Sequence, residues 1–234
     1  MKTRSSPCSY NAAYKAIRQK IMYGALQPNA KLRLSAVANS LNMSPTPVRE
    51  ALSRLSQEGF IETRQQRGFY VRPMSLDNLS ELYALMHLNA RYMLTRIHGS
   101  DDLPKLADPI RKAFNLASPI ETARQFEDLH YRMASYADSP TAAKHLIVLM
   151  RRSHLVRLTE YNNPDCFQTL SQISHQIAQT AQDNDFRGTI DHVAAYFDVR
   201  QKWLPEIVEE ARLVQKQLDA GSQPQQGELN ANRV

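Results

Sequence analysis

The sequence predicts a mainly helical protein in two parts. A short unit of three helices and a β-hairpin spans residues 1–74, an all-helical bundle of six helices spans 75–220, and a polar, disordered tail follows over 221–234. Three observations carry this. Apolar residues recur at helical spacing along most of the chain. Strand-type runs rich in aromatic and β-branched residues occur only between Phe60 and Val71. Charge divides at the same place: residues 1–75 hold 12 Lys+Arg against Glu50, Glu58 and Glu62, a net +9, while 76–234 hold 17 Lys+Arg against 20 Asp+Glu, a net −3. A small basic unit attached to a mildly acidic one points to a polyanionic partner for the first unit alone.

In the first unit, Ala13, Ile17 and Ile21 place a helix over 9–23, with Ser9 as its N-cap and Gly24 and Pro28-Asn29 as its stop. A second, serine-capped helix fits Ser35–Leu41, Asn42-Met43-Ser44 makes a turn, and a third helix fits Pro45–Glu58, ended by Gly59. Phe60–Arg64 and Phe69–Val71 read as strands joined through the polar tip Gln65-Gln66-Arg67-Gly68. Helix, helix, turn, helix and hairpin in so short a span make one compact supersecondary package. Beyond it, Ser75 caps a long helix over 76–97, and further helices fit 102–115, 119–137, 140–161, 165–184 and 187–218.

The third helix has the character of a groove-reading element. Val48, Ala51, Leu52 and Leu55 share one face and pack inward; Arg49, Glu50 and Ser53 lie on the other, with Ser44 and Thr46 at the N-terminal end. Short hydroxyls suit phosphate contacts at a helix N-terminus, where the dipole favours anions. The planar fork of an arginine reads guanine O6/N7 or grips phosphate. Pro45 and Pro47 are tolerated because the first turn needs no internal donor. The two cysteines, Cys8 and Cys166, make no ligand cluster and fit a reducing compartment. No apolar run reaches the roughly 20 residues of a membrane span, and no signal sequence is recognisable, so cytoplasmic residence and no membrane partner are expected.

The string Leu41-Asn42-Met43-Ser44-Pro45-Thr46-Pro47-Val48-Arg49-Glu50-Ala51-Leu52, followed by Glu58-Gly59-Phe60-Ile61 and Arg67-Gly68-Phe69-Tyr70-Val71, resembles the GntR family of bacterial transcription regulators. The resemblance covers about Tyr10 to Pro73. It implies a winged helix that binds double-stranded operator DNA as a homodimer, with contacts from Ser44, Thr46, Arg49 and the wing residues Arg67 and Gly68. Ser35, Ser53 and Arg64 complete the candidate DNA-binding set. Two departures concern specificity: Pro45 stands where members of the family often carry arginine, and Ser35 where a charged residue is common.

The helical part resembles the FCD effector domain of the smaller, VanR-like subgroup. Many members of that family hold a divalent metal through an Asp-x-x-x-His pair and two later histidines, and the metal then binds a carboxylate effector. Here His130 and His175 resemble two of the ligands, Phe126 occupies the carboxylate slot, Tyr196 falls near the last histidine slot, and His192 lies one turn before it. No cofactor is therefore expected, with His130 and His175 as residual metal candidates. The candidate effector pocket is Phe126, His130, Arg152, His175, His192 and Tyr196. His130 shares a stripe with Phe126, Leu129 and Met133 and points inward, whereas His175 lies off the Leu170/Ile173/Ile177/Ala181 stripe.

The leading expectation is a repressor whose helical domain binds a small molecule, a carboxylate by family resemblance. Two alternatives stand beside it: a dimeric DNA-binding protein without a ligand, and a metal-dependent hydrolase using His130, His175 and His192. The absence of a Gly-rich phosphate loop, a nucleophile elbow and an HExxH motif speaks against an enzyme.

Overall fold

The computed structural model describes residues 7–115 and 118–221. Three helices, α1 (Pro7–Met22), α2 (Leu34–Ser40) and α3 (Pro45–Gln57), alternate with strands β1 (Lys31–Leu32), β2 (Ile61–Arg64) and β3 (Gly68–Val71). The strands form an antiparallel sheet in the order β1-β3-β2, with Ile61 opposite Val71 and Arg64 opposite Gly68. The hairpin is the wing. The edge strand β1 pairs Lys31 with Tyr70 and Leu32 with Phe69. At two residues it is too short to leave a periodic signal in sequence, and it was not anticipated.

Several helix starts differ from expectation. Ser9 lies inside α1, which begins at Pro7, a residue suited to a first turn that needs no N–H donor. Ser35 likewise lies inside α2, whose N-cap is Arg33 and carries no side-chain cap bond. Asn29 and Asn42 take left-handed backbone (φ 65° and 50°), turning the chain before β1 and between α2 and α3. The Asn29 amide donates to Val71 O at 3.0 Å, so the turn also ties the strand end in place.

The helical part comprises α4 (Leu76–Ile97), α5 (Ala107–Phe114), α6 (Pro119–Tyr136), α7 (Pro140–Arg152), α8 (His154–Asn162), α9 (Pro164–Gln182) and α10 (Phe186–Gly221). Ser75 caps α4 by accepting from the Asn78 amide at 3.4 Å. The six expected helices are thus seven α-helices among the described residues, because the span 140–161 is broken at Ser153. The Ser153 hydroxyl donates back to Leu149 O (3.1 Å) and Met150 O (3.2 Å), competing with the next turn of helix. The span 102–115 opens instead as a 3-10 turn at Pro104–Leu106, since a proline cannot donate to the helical ladder. The expected tail lies, from residue 222 on, outside the described residues.

Apolar side chains gather in two separate cores. One, around Ile17, Val48, Leu52, Leu55 and Ile61, joins α1, α3 and the sheet. The other runs from Leu79 to Val208 and is built on α4, α6, α9 and α10. Between them pass a few contacts. Arg152 Nη2 donates to Asn78 Oδ1 (3.2 Å), and the Arg152 guanidinium lies 3.0–3.3 Å from where a Cβ on Gly59 would stand. The Tyr23 ring meets the edge of His154 with centroids 4.9 Å apart. Arg212 Nη2 donates to Met74 O at 2.8 Å.

Candidate functional site

Two sites emerge, one on the surface of the first unit and one inside the second. On α3, Val48, Ala51, Leu52 and Leu55 are buried without exception, and Ser44, Thr46, Arg49, Glu50 and Ser53 are exposed. Ser44 is the N-cap residue of α3 and makes no side-chain cap bond, so its hydroxyl is open to an external acceptor. Arg49 has no hydrogen-bond or ion partner among the described residues, which leaves its full donor fork outward. Its neighbour Arg54 is differently employed: its Nε pairs with Glu58 Oε1 (2.8 Å), Nη1 donates to Tyr10 OH (3.3 Å) and its guanidinium lies over the Tyr14 ring. That network fixes α1 against α3 and holds the exposed face in position.

At the wing tip Arg67 and Gly68 are exposed. Gly68 has φ +93° and nothing within 4 Å of a Cβ built there, so backbone conformation rather than space calls for glycine. Arg64, also in the candidate DNA-binding set, is tied into the wing by its own partners. Its Nε donates to Glu62 Oε1 (2.6 Å), Nη2 reaches Asn29 Oδ1 (3.4 Å), and its guanidinium stacks 4.1 Å over Tyr70. Arg64 braces the wing. Ser35 is exposed on α2.

Inside the bundle an apolar cavity of about 60 Å³ is lined by Leu94, Ile110, Phe114, Phe126, His130, Met133, Ile177, Val193, Tyr196 and Phe197, with the hydroxyls of Ser174 and Thr189. Three of the six expected pocket residues, Phe126, His130 and Tyr196, meet here; the other three do not. His175 is exposed on α9, where its Nδ1–H donates to Ser171 O at 2.7 Å, the satisfied surface histidine its position off the apolar stripe suggests. Arg152 lies at the junction with the winged helix, beside Gly59 and Asn78. His192 is half-buried on α10 but does not line the cavity.

His130 is buried, and its Nδ1–H donates to Phe126 O at 2.7 Å, which leaves Nε2 as a lone-pair acceptor. Burial is the main reason its pKa falls to about 4, so the ring is neutral at pH 7. A neutral imidazole is a competent metal ligand, but the donor set around it does not fit a metal. Phe126 offers only a ring, the other polar groups are neutral hydroxyls, and no group of three or more His, Cys, Asp or Glu is placed to hold an ion among the described residues.

Beside the cavity lies a buried ionic network that sequence reasoning missed. Glu160 and Arg200 are fully buried: Arg200 Nη2 donates to Glu160 Oε2 (2.5 Å) and Nε to Oε1 (3.3 Å), while Tyr83 OH donates to Oε1 at 2.7 Å. Arg157, also fully buried, donates to Glu127 Oε1 (2.8 Å) and Met150 O (2.9 Å), and His154 Nδ1 lies 3.3 Å from the same carboxylate oxygen. Burial works to raise the Glu127 carboxyl, but the His154 hydrogen bond and the Arg157 charge outweigh it and hold its pKa at about 2. A signal was present: Arg200 continues the apolar stripe Val193, Tyr196, Phe197, Leu204, and a charge inside such a stripe must be paired.

A free arginine on a buried-backed helix, hydroxyls at that helix's exposed N-terminus and a basic wing define a winged-helix DNA-binding protein, here joined to a helical bundle with an internal cavity. Residues 9–71 match the family described as "Bacterial regulatory proteins, gntR family". They form a GntR-family helix-turn-helix domain, and the chain that carries it is a DNA-binding transcription regulator, not an enzyme. It is 21% identical over 214 residues to the HTH-type transcriptional regulator YdhC of Bacillus subtilis, covering 87% of this chain and 94% of that protein. It is 29% identical over 146 residues to the HTH-type transcriptional repressor GlaR of Escherichia coli, covering 59% of this chain and 65% of that one. The fold resembles that of a GntR transcriptional regulator from Rhodococcus sp. RHA1 (TM-score 0.63, 16% identity, 84% of this chain and 97% of the other). No described helix is long and apolar enough to cross a membrane.

Proposed function

We propose that the protein is a cytoplasmic, homodimeric repressor whose bundle is an FCD-type effector domain controlling the winged helix. The observation that carries this is the pairing of an outward, unpartnered Arg49 with an internal, nearly apolar cavity in a second core. One site is open to a large polyanion, the other only to a small molecule. We assign operator contacts to Ser44, Thr46, Arg49, Arg67 and Gly68, with Ser35 and Ser53 flanking them, and the domain boundary to 74/75, between the last buried residue of one core, Val71, and the first of the other, Leu79.

Repression is supported by the likeness to a relative named as a repressor. Dimerisation is supported by α4, where Leu85, Leu88 and Tyr92 form an exposed apolar row (39%, 59% and 52% accessible) suited to a second copy of the chain. Such a dimer reads two related half-sites. An effector alters operator affinity only by binding one arrangement of the two winged helices better than the other.

The test is operator binding measured across salt concentrations, using fragments recovered by mapping the protein on its own genome. Phosphate contacts release counterions, so affinity is expected to fall steeply as salt rises. A flat salt response, or no bound genomic fragment, defeats the proposal.

A further inference from the structure

We propose that the seam between the winged helix and the bundle holds a separate ligand site, a pocket in which Arg72 and Arg152 bind a small dianionic oxyanion of the phosphate class. The pocket shares no lining residue with the apolar cavity of the bundle. The site stands whether or not that cavity takes an effector.

Both units build the pocket, which has a volume of about 70 Å³. Gly59, Phe60 and Val71 line it from the winged helix, and Asn78, Leu79 and Leu82 line it from α4. Its charged lining is Arg72, in the segment joining the two units, and Arg152, at the C-terminal end of α7; no acidic side chain among the described residues lines it. The two cations feel each other: burial first, and then the Arg72 charge, lower the Arg152 pKa from its ordinary value. Glu81 acts the other way on Arg152, but it is exposed on α4 and lies outside the pocket wall.

Neither guanidinium is matched by a carboxylate. The Arg72 side chain has no hydrogen-bond or ion partner among the described residues, and its Nε is buried without an acceptor. Arg152 commits one donor, Nη2, to Asn78 Oδ1 at 3.2 Å. Gly59 leaves room for the rest of that guanidinium: it follows α3 with φ +79°, and a Cβ there would stand 3.0 Å from Arg152 Cζ. An unmade buried donor is costly, and so is holding two cations side by side. An anion between them reverses both costs.

Charge and size set the ligand. A guanidinium offers donors alone, so the acceptor is an oxyanion, and its planar fork fits the oxygens of a phosphate. Two cations with no acid in the wall match a dianion, whereas a monocarboxylate leaves one of them uncompensated. The start of α4 adds to the field, because Asn78 and Leu79 belong to its first turn and the N-terminal pole of this 22-residue helix is positive. Asp77 in the same turn is exposed and does not line the pocket. The pocket is under half the ~150 Å³ of an engineered core cavity that holds benzene, so it suits a phosphate-sized group and not a nucleotide. An ion held by both arginines ties the joining segment to α7 and so fixes the winged helix against the bundle.

The experiment titrates the full chain with inorganic phosphate, methyl phosphate and acetate at constant ionic strength and pH about 8, where both phosphates are largely dianionic. Heat of binding and hydrogen exchange over residues 72–79 are read together. We expect a phosphate to bind saturably and slow exchange in that segment, acetate to bind about tenfold more weakly or less, and Arg72→Gln and Arg152→Gln each to weaken the phosphate about tenfold or more. Tighter binding of inorganic phosphate assigns the free ion and tighter binding of methyl phosphate a phosphomonoester; either upholds the site. Arg72→Gln removes no protein contact of that side chain and should keep the wild-type Tm; should Arg152→Gln, which loses the bond to Asn78, fail to fold, Arg72→Gln decides. His130→Gln, in the other cavity, should bind phosphate like wild type. No saturable binding, binding unchanged by Arg72→Gln, acetate equal to phosphate, or a loss in His130→Gln as large as in Arg72→Gln overturns the site. If phosphate fails while Arg72→Gln weakens operator binding and lowers its salt slope by about one, Arg72 is a DNA-backbone contact and the seam site is overturned.

Discussion

The winged-helix unit and the bundle treat charge in opposite ways. In the first, the excess of Lys and Arg stays at the surface: Arg49 and Arg67 face solvent, and the arginines that do pair, Arg54 and Arg64, pair at the exposed rim. In the second, Arg157, Arg200 and Glu160 are taken wholly out of water and must be matched inside. A surface charge keeps its hydration and waits for a large partner at little cost. A buried charge makes the fold depend on its partners. The two units differ in what they can bind for this reason, before any detail of either ligand is known.

The largest expected effect tests the inner half of that contrast. Glu160→Gln leaves the Arg200 guanidinium buried without its counter-ion, and removing one partner of such a pair costs about 3–5 kcal/mol. Urea unfolding followed through Trp203, the single tryptophan and a residue packed on the bundle core, should show the loss. Hydrogen exchange in α1 and α3 should stay close to wild type. A cost below about 1 kcal/mol would mean that the buried pair contributes no more than an exposed one.

A pH titration separates the units more finely. Burial depresses His130 to about 4, below its unfolded value near 6.5, so the stability it contributes is complete above pH about 6.5 and is lost as pH falls toward 4. The loss amounts to roughly 3 kcal/mol. Burial lowers His154 and His87 as well, which adds in the same direction. All seven histidines follow residue 76, so acid between pH about 6.5 and 4 should loosen the bundle while α1 and α3 hold. Calorimetric scans across this window check it, and His130→Gln should flatten the slope. Loss of both units together would show that the contacts through Arg152 and Tyr23 bind them into one cooperative unit.

The smallest effect lies on the surface. Arg49→Ala should reduce discrimination between operator and unrelated DNA by about 1–3 kcal/mol and leave Tm within the narrow range of a surface change. Leu52→Ala, at a fully buried position on the opposite face of α3, should instead cost about 2–5 kcal/mol of stability. Competition binding and thermal melting of the two variants give the comparison; operator binding by Arg49→Ala equal to wild type places the reading face elsewhere.

The sequence by itself determined the elements whose signals are local. The inward stripe of α3, the outward placement of Arg49, the hairpin with its glycine tip and the Ser75 cap all follow from residues within a few positions of one another, where periodicity, turn chemistry and charge are set by the backbone. The same reasoning placed His130 inside and left His175 unburied by its stripe. Only the tertiary structure decided which distant residues share a space. The two-residue strand β1 exists because β3 offers it an edge. Ser153 breaks a helix whose pattern runs on through it, and Arg152, on the last turn before that break, turns to Gly59 and the winged helix instead of the cavity. Glu160 and Arg200 stand 40 residues apart and meet only when α8 packs on α10. A charge in an apolar stripe announces that it must be paired, but its partner is fixed by packing, because the low-dielectric interior that makes the pair necessary does not exist until the helices close around it.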